Sequence, residues 1–381
     1  MHLLASLAAH GWHPAAWRVT GRNGFEGAAP FRAAARTAEL GGLDAVLLGL
    51  PTASRAMRAN GKVDGLHLDP LPLLGLLIGA TERIGLCGYW PADIAEPYHV
   101  ARVFATLDHL AGGRTGWIAG LDGRAELAGK FQRSDLPTDD GDAALREVEL
   151  IDVARQLWDS WEDEGFVVDQ STGTFAEPER VHPIEHAGRF FTVRGPLNVP
   201  RPVQGQPVIL HRCVPAGERR AGAAGSAEIV LGEAATMAEA KAERLDWRAL
   251  AAQNGRAPES LRYVARVMAI LADTEATARR RADELDQLAG GAAGAKAARF
   301  VGTPEQFAAW LAEWHGNQAC DGFDILPAVL PLDLDLLVDA VVPLLRRRGL
   351  VRTAYDSTTL RGHLGLQRLP SRFAAQGMPR G

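Results

Sequence analysis

His10, Trp12, His13 and Trp17 crowd into the few residues after the apolar run Leu3–Leu7. Imidazoles beside indoles are materials for proton transfer and for holding a flat ring, so His10 and His13 are candidate catalytic groups. A metal is not expected at His10-Gly11-Trp12-His13, because no acidic residue or third imidazole lies nearby. Trp17 and Arg18 read instead as a brace for the loop. His211 ends another apolar run and is the third catalytic candidate, while Asp122 closes a fourth-run segment in the same way. Cys213 would be reactive only if cations lowered its pKa, and is otherwise a small inert side chain. His99 reads as a helix-start or core hydrogen-bonding group. Asp108 and Arg114 flank Gly112-Gly113, where a carboxylate and a guanidinium tie a helix stop to its neighbours.

Other catalytic signatures are missing from the sequence. It has no G-x-S-x-G elbow, phosphate loop, H-E-x-x-H or paired-cysteine spacing, and no dinucleotide fingerprint surrounds its Gly-Gly pairs. The 381 residues carry a net charge of −5, which argues against nucleic acid as the main partner. With 47% hydrophobic residues the chain can bury a large core without metals or disulfides. Cys87, Cys213 and Cys320 are too scattered for a disulfide framework, and no apolar run approaches the roughly 20 residues of a membrane span. A cytoplasmic protein is expected.

The elements that must position these residues repeat. Eight times a short apolar run precedes a helical segment: Leu3–Leu7, Leu43–Leu50, Ile84–Trp90, Thr115–Leu121, Pro207–His211, Ala227–Gly232, Tyr263–Leu271 and Gly322–Val329. That count predicts an α/β fold, a (β/α)8 barrel with its chemistry on the loops at the C-terminal strand ends. The runs are apolar throughout, as parallel strands buried on both faces require. Val100, Val103, Phe104, Leu107 and Leu110 form a helical stripe that stops at Gly112-Gly113, and Leu334–Leu345 forms another, with Arg346, Arg347 and Arg348 at its negative end. Residues 165–205 read as an insertion after the fourth helix, with β-prone pieces at Phe166-Val167-Val168 and Phe190-Phe191-Thr192-Val193. The Gly/Ala tract 290–296 reads as a mobile link. One domain over 1–365 and a mobile tail over 366–381 are expected.

Long specific runs then carry a resemblance. Glu96-Pro97-Tyr98-His99-Val100-Ala101-Arg102, leading into Leu107-Asp108-His109-Leu110-Ala111-Gly112-Gly113-Arg114 and Trp117, resembles the bacterial luciferase-like flavin monooxygenases. Leu157-Trp158-Asp159-Ser160-Trp161, Gln204-Gly205-Gln206-Pro207 and Val301-Gly302-Thr303-Pro304-Glu305 extend the likeness over nearly the whole chain. It is strongest to the branch with nitrilotriacetate, EDTA and dibenzothiophene-sulfone monooxygenases. The resemblance implies a TIM-type barrel that takes reduced FMN from a separate flavin reductase and uses oxygen to hydroxylate or cleave a small organic substrate. It also implies a homodimer paired through helices near the second and third strands, where Leu71–Ala80 is apolar almost all round.

The likeness stops at four strand ends: Leu48-Gly49-Leu50-Pro51, Pro91-Ala92-Asp93-Ile94, Ile118-Ala119-Gly120-Leu121-Asp122 and His211-Arg212-Cys213-Val214-Pro215. Divergence is thus concentrated where a pocket would be. By position, Gly49, Tyr89, Gly120, Asp122, Arg212, Ala216 and Gly217 are the candidate cofactor-binding residues. The fifth loop is where the resemblance places the phosphate; Pro215 offers no N–H there, but Ala216 and Gly217 open a helical stretch near Arg212, Arg219 and Arg220. Two readings stay open at this level. One is an FMN-dependent monooxygenase with altered loops, or its deazaflavin-dependent variant. The other is a barrel with a degenerate flavin pocket that serves as a non-catalytic subunit or binding protein.

Overall fold

In the computed structural model, residues 1–21, 27–49, 68–92, 94–121, 136–137, 139–214, 217–291 and 297–373 are described below. The strands are β1 (His2–Ser6), β2 (Ala45–Leu48), β3 (Gly85–Tyr89), β4 (Thr115–Ala119), β5 (Phe166–Asp169), β6 (Thr174–Ala176), β7 (His186–Ala187), β8 (Thr192–Val193), β9 (Val208–Arg212), β10 (Ile229–Gly232), β11 (Arg262–Leu271), β12 (Ala298–Gly302) and β13 (Gly322–Pro327). The helices include α1 (Ala16–Val19), α2 (Ala29–Leu40), α3 (Pro70–Ile78), α4 (Pro97–Leu110), α5 (Asp140–Trp158), α6 (Glu218–Ser226), α7 (Met237–Gln253), α8 (Glu275–Ala289) and α9 (Pro304–Gly316).

Eight parallel strands close in the order β1-β2-β3-β4-β9-β10-β11-β13 and back to β1, with His2 opposite Gly322 and Ile229 opposite Arg262 at the two last seams. Each of the eight apolar runs supplies one of them, and the expected barrel is the fold. Alternate side chains divide between two cores: Leu4, Leu47, Ile118, Leu210, Leu231 and Leu326 fill the lumen, whereas Leu3, Val46, Trp117, Ile209, Val230 and Ile325 pack outward under the helices.

One strand escaped the periodicity. β12 lies just past the Gly/Ala tract and pairs with Val267–Leu271, the upper half of β11, whose lower residues Arg262–Ala265 pair with β10. Ten-residue β11 thus has length enough to serve two neighbours on one edge. β12 carries an exposed Arg299 at its second residue, which hides its strand character. Of the tract itself, 292–296 lie outside the described residues; α8 ends on Gly290 at φ 79, the left-handed conformation that suits glycine. The late apolar stripe is helical from Leu332 to Arg347, but Leu337–Val341 forms a π turn. Pro343 sits two residues beyond it and cannot donate to the preceding turn, which widens to compensate.

The insertion after α5 holds two antiparallel hairpins, β5–β6 and β7–β8. Much of the expected tail is tied to it: Arg368 pairs with Asp163, Arg201 donates to Leu369 O at 2.9 Å, and Phe373 stacks on His182 at 3.9 Å. The Arg368 hydrogen bond holds the Asp163 carboxyl down at about 2, with Arg201 helping and partial burial opposing. Residues 374–381 lie outside the described ones.

Candidate mouth of the barrel

Parity along the strands decides which side chains reach the mouth. Gly49, Tyr89, Gly120 and Arg212 continue the inward series of Leu47, Cys87, Ile118 and Leu210, so four candidate cofactor residues occupy one arc at the ends of β2, β3, β4 and β9. They are close: Tyr89 Oη donates to Gly120 O at 3.4 Å, and a Cβ on Gly49 would stand 3.3 Å from Tyr89 Cβ and 2.6 Å from Pro70. Gly49 also has φ +79, so a side chain there is excluded twice over. Arg212 pairs with Glu233, the next inward residue after β10, at 3.0 Å. Asp122 lies outside the described residues.

The first loop is held from several sides. Trp12 N donates to Pro327 O, His13 N to Ala328 O, and Leu330 N to His10 O. Gly11 has φ +118, and a Cβ there would fall 2.3 Å from Ala328 O. Gly11→Ala should therefore cost about 2–3 kcal/mol, read from the urea unfolding midpoint, by forcing the loop off β13. His10 Nδ1 meets Thr20 Oγ1 at 3.0 Å, still within the loop. His13 accepts from Ala15 N at Nδ1, which leaves Nε2–H to donate to Asp286 of α8 at 3.1 Å. Burial would raise the Asp286 carboxyl, but Arg299 and His13 together hold it below its ordinary value. His13 thus links the β1 loop to α8 and β12, and Arg18 adds a bond to Leu288 O.

His211 occupies the opposite face from Arg212. It follows Ile209 outward, where Ser226 Oγ of α6 lies 3.3 Å from Nε2 and Glu147 of α5 lies 3.8 Å from Nδ1. Burial, reinforced by Arg219, Arg155 and Arg256, pushes this imidazole down to about 3, so it is neutral at ordinary pH and sealed from the lumen. Cys213 is held against Glu243, and burial raises its thiol to about 11, the direction of an inert cysteine.

Beyond it, Gly217 precedes α6 at φ +134, exposed, with nothing within 4 Å of where a Cβ would be. The first-turn N–H groups of α6 open there. Arg219 reaches from that turn to Leu121 O at the β4 mouth, 3.4 Å, and to buried Glu147, 3.3 Å, while Arg220 returns to Val214 O. Backbone donors and guanidiniums beside an open glycine fit an anionic group such as a flavin phosphate. Pro215 and Ala216 lie outside the described residues.

Three lumen residues were not singled out in the sequence: Ser6, Arg266 and Asp324. The signal was available, since Arg266 and Asp324 are charges in the middle of otherwise apolar barrel strands. Among the described residues, no group of three or more His, Cys, Asp and Glu could hold a metal ion, and no helix is long and apolar enough to cross a membrane.

Known proteins share this fold. The luciferase-like monooxygenase family model matches residues 8–322. The chain is 32% identical to N-acetyl-S-(2-succino)cysteine monooxygenase of Bacillus subtilis (strain 168), covering 97% of each. It is 35% identical to nitrilotriacetate monooxygenase component A of Aminobacter aminovorans over 79% of each. The solved EDTA monooxygenase from Chelativorans sp. BNC1 superimposes with a TM-score of 0.84 at 27% identity, over 97% of this chain and 99% of that one. With a family model matching residues 8–322 and relatives above 30% identity over most of its length, the chain belongs to the luciferase-like monooxygenase family.

Proposed function

We propose that this protein is a flavin-dependent monooxygenase that uses molecular oxygen on a small organic substrate, with reduced FMN supplied by a separate flavin reductase in the cytoplasm. The observation that carries the reading is the arc of Gly49, Tyr89, Gly120 and Arg212 at one rim of a closed barrel, next to the open start of α6. Reduced flavin would supply the electrons that activate oxygen. The protein's share is positional. Gly120 lets a flat ring approach the backbone, Gly49 leaves room for Pro70 and Tyr89 to close the rim beside it, and Arg212, Arg219 and the Gly217 turn hold the phosphate end. Asp122 and Ala216 stay candidates by position, and His10 and His13 by their nearness to the first loop; His211, sealed behind the strand, serves packing in this reading. The designation "component A" of the Aminobacter relative supports a two-component system. A homodimer is also proposed, through the exposed edge of α3 at Pro72, Gly75 and Leu76.

Titration of the purified chain with reduced FMN tests this directly. Binding at micromolar concentration is expected, and no binding up to millimolar overturns the reading. Arg219→Gln should weaken FMN about tenfold, the worth of one charge-assisted hydrogen bond, while leaving riboflavin affinity unchanged because riboflavin has no phosphate.

A further inference from the structure

Arg146 of α5 is 6% exposed and directs its guanidinium at the segment that joins β3 to α4. Nη1 donates to Ala92 O at 2.6 Å and Nη2 to Ala95 O at 2.9 Å. Both alanines are buried, and both carbonyls precede the first bond of α4, which runs from Val100 N to Glu96 O, so each needs a donor from outside the helix. The guanidinium is covered from another side by Phe191 of the insertion, whose ring centroid stands 4.6 Å from Cζ. Glu149, almost one turn further along α5, accepts from Phe191 N at 2.9 Å and fixes that ring in place. Arg146 is thus held by the insertion while it holds the β3–α4 segment.

That segment ends on the rim assigned above to the flavin ring. Ala92 N donates to Gly120 O at 2.9 Å, Tyr89 Oη donates to the same oxygen at 3.4 Å, and Trp90 N donates to Ile118 O at 3.2 Å. The end of β4 therefore takes its place from Ala92, and Ala92 takes its place from Arg146. The next residue, Glu147, holds Arg219 at 3.3 Å, so two neighbours on α5 reach the ring end and the phosphate end of one site. A planar guanidinium can fix two carbonyls at a set separation, which a single ammonium cannot. We propose that Arg146 is a positioning residue for the flavin ring, setting through Ala92 the height at which Gly120 meets it. The assignment rests on the flavin reading, and it differs from the roles of Arg212 and Arg219 in acting through the backbone without touching the cofactor.

Arg146→Lys keeps the charge and an aliphatic stem but loses the fork. In the flavin-free full-length variant, exchange of the Ala92 N–H, followed by NMR, should quicken about tenfold. The Leu86 N–H, which donates to Arg114 O near the other end of β3, should exchange as in the parent. Anaerobic titration should show reduced riboflavin and reduced FMN weakened by the same factor, about fivefold, because a loosened rim must be ordered again on binding. Their Kd ratio then stays constant, whereas Arg219→Gln changes it. Because a change at a buried guanidinium endangers folding, Phe191→Leu serves as a second variant: it leaves both carbonyl bonds in place, removes the ring that steadies them, and should move both readouts in the same direction by about twofold. An Ala92 exchange rate equal to the parent's, a Leu86 rate that rises as much as that of Ala92, riboflavin affinity undiminished in the folded variants, or a loss confined to FMN would overturn the assignment. A parent that binds neither flavin would overturn the monooxygenase reading and this assignment with it, while a parent and variants that bind both flavins equally well would overturn the assignment alone.

Discussion

Asp108→Ala should destabilise the protein by about 3–5 kcal/mol, the sum expected when several hydrogen bonds to one buried carboxylate are lost together. Asp108 is completely buried at the end of α4. Its Oδ1 accepts from Thr115 N, Thr115 Oγ1 and Gln204 Nε2, at 3.4, 2.9 and 2.6 Å, and its Oδ2 from Gln204 N at 3.2 Å. One side chain thus joins a helix stop, the start of β4 and the segment entering β9. Burial raises its pKa against those four donors, so the carboxylate is retained for its contacts and not for its charge. Asp108→Asn keeps the Oδ1 set but turns an NH2 toward Gln204 N, and about half the loss is expected. Urea unfolding of the two variants checks the order, and equal stability of Asp108→Ala and the parent would refute it.

Acid should unfold the protein partly through His211. Its folded value of about 3 lies below the ordinary 6.5, so between these pH values the unfolded chain binds a proton that the folded one does not. Stability therefore rises with pH across that window: the contribution is complete above pH 6.5 and is lost on descent to pH 3, up to about 5 kcal/mol. His211→Gln keeps a polar contact for Ser226 and removes the titration. Its stability curve should lose one proton's worth of slope between pH 3 and 6.5, and an unchanged slope would place the acid sensitivity elsewhere.

The barrel could be read from the sequence because strands buried on both faces are apolar without interruption, and eight such runs separated by helical stripes admit few arrangements. The same property hid the faces. In Val208-Ile209-Leu210-His211-Arg212 nothing in the pattern says which parity enters the lumen, so His211 and Arg212 were equal candidates until the register separated them. The Asp108 and Arg114 ties were visible because a Gly-Gly stop leaves carbonyls and N–H groups that need partners; Arg114 indeed donates to Ala111 O, Ile84 O and Thr81 O. β12 was not visible, being short, next to Gly/Ala sequence and paired along only half of β11. Arg266 and Asp324 are single charges inside runs apolar enough to predict strands on their own, so the apolar pattern does not mark them as lumen residues.

The seam between β1 and β13 has a consequence for biosynthesis. Ser6 and Asp324 are 318 residues apart, so β1 must wait for β13 before that edge is covered. At ribosomal speeds that wait is on the order of half a minute. For that interval β1 can pair with β2 on one edge while its other edge stays open, the kind of edge on which strands of separate chains pair.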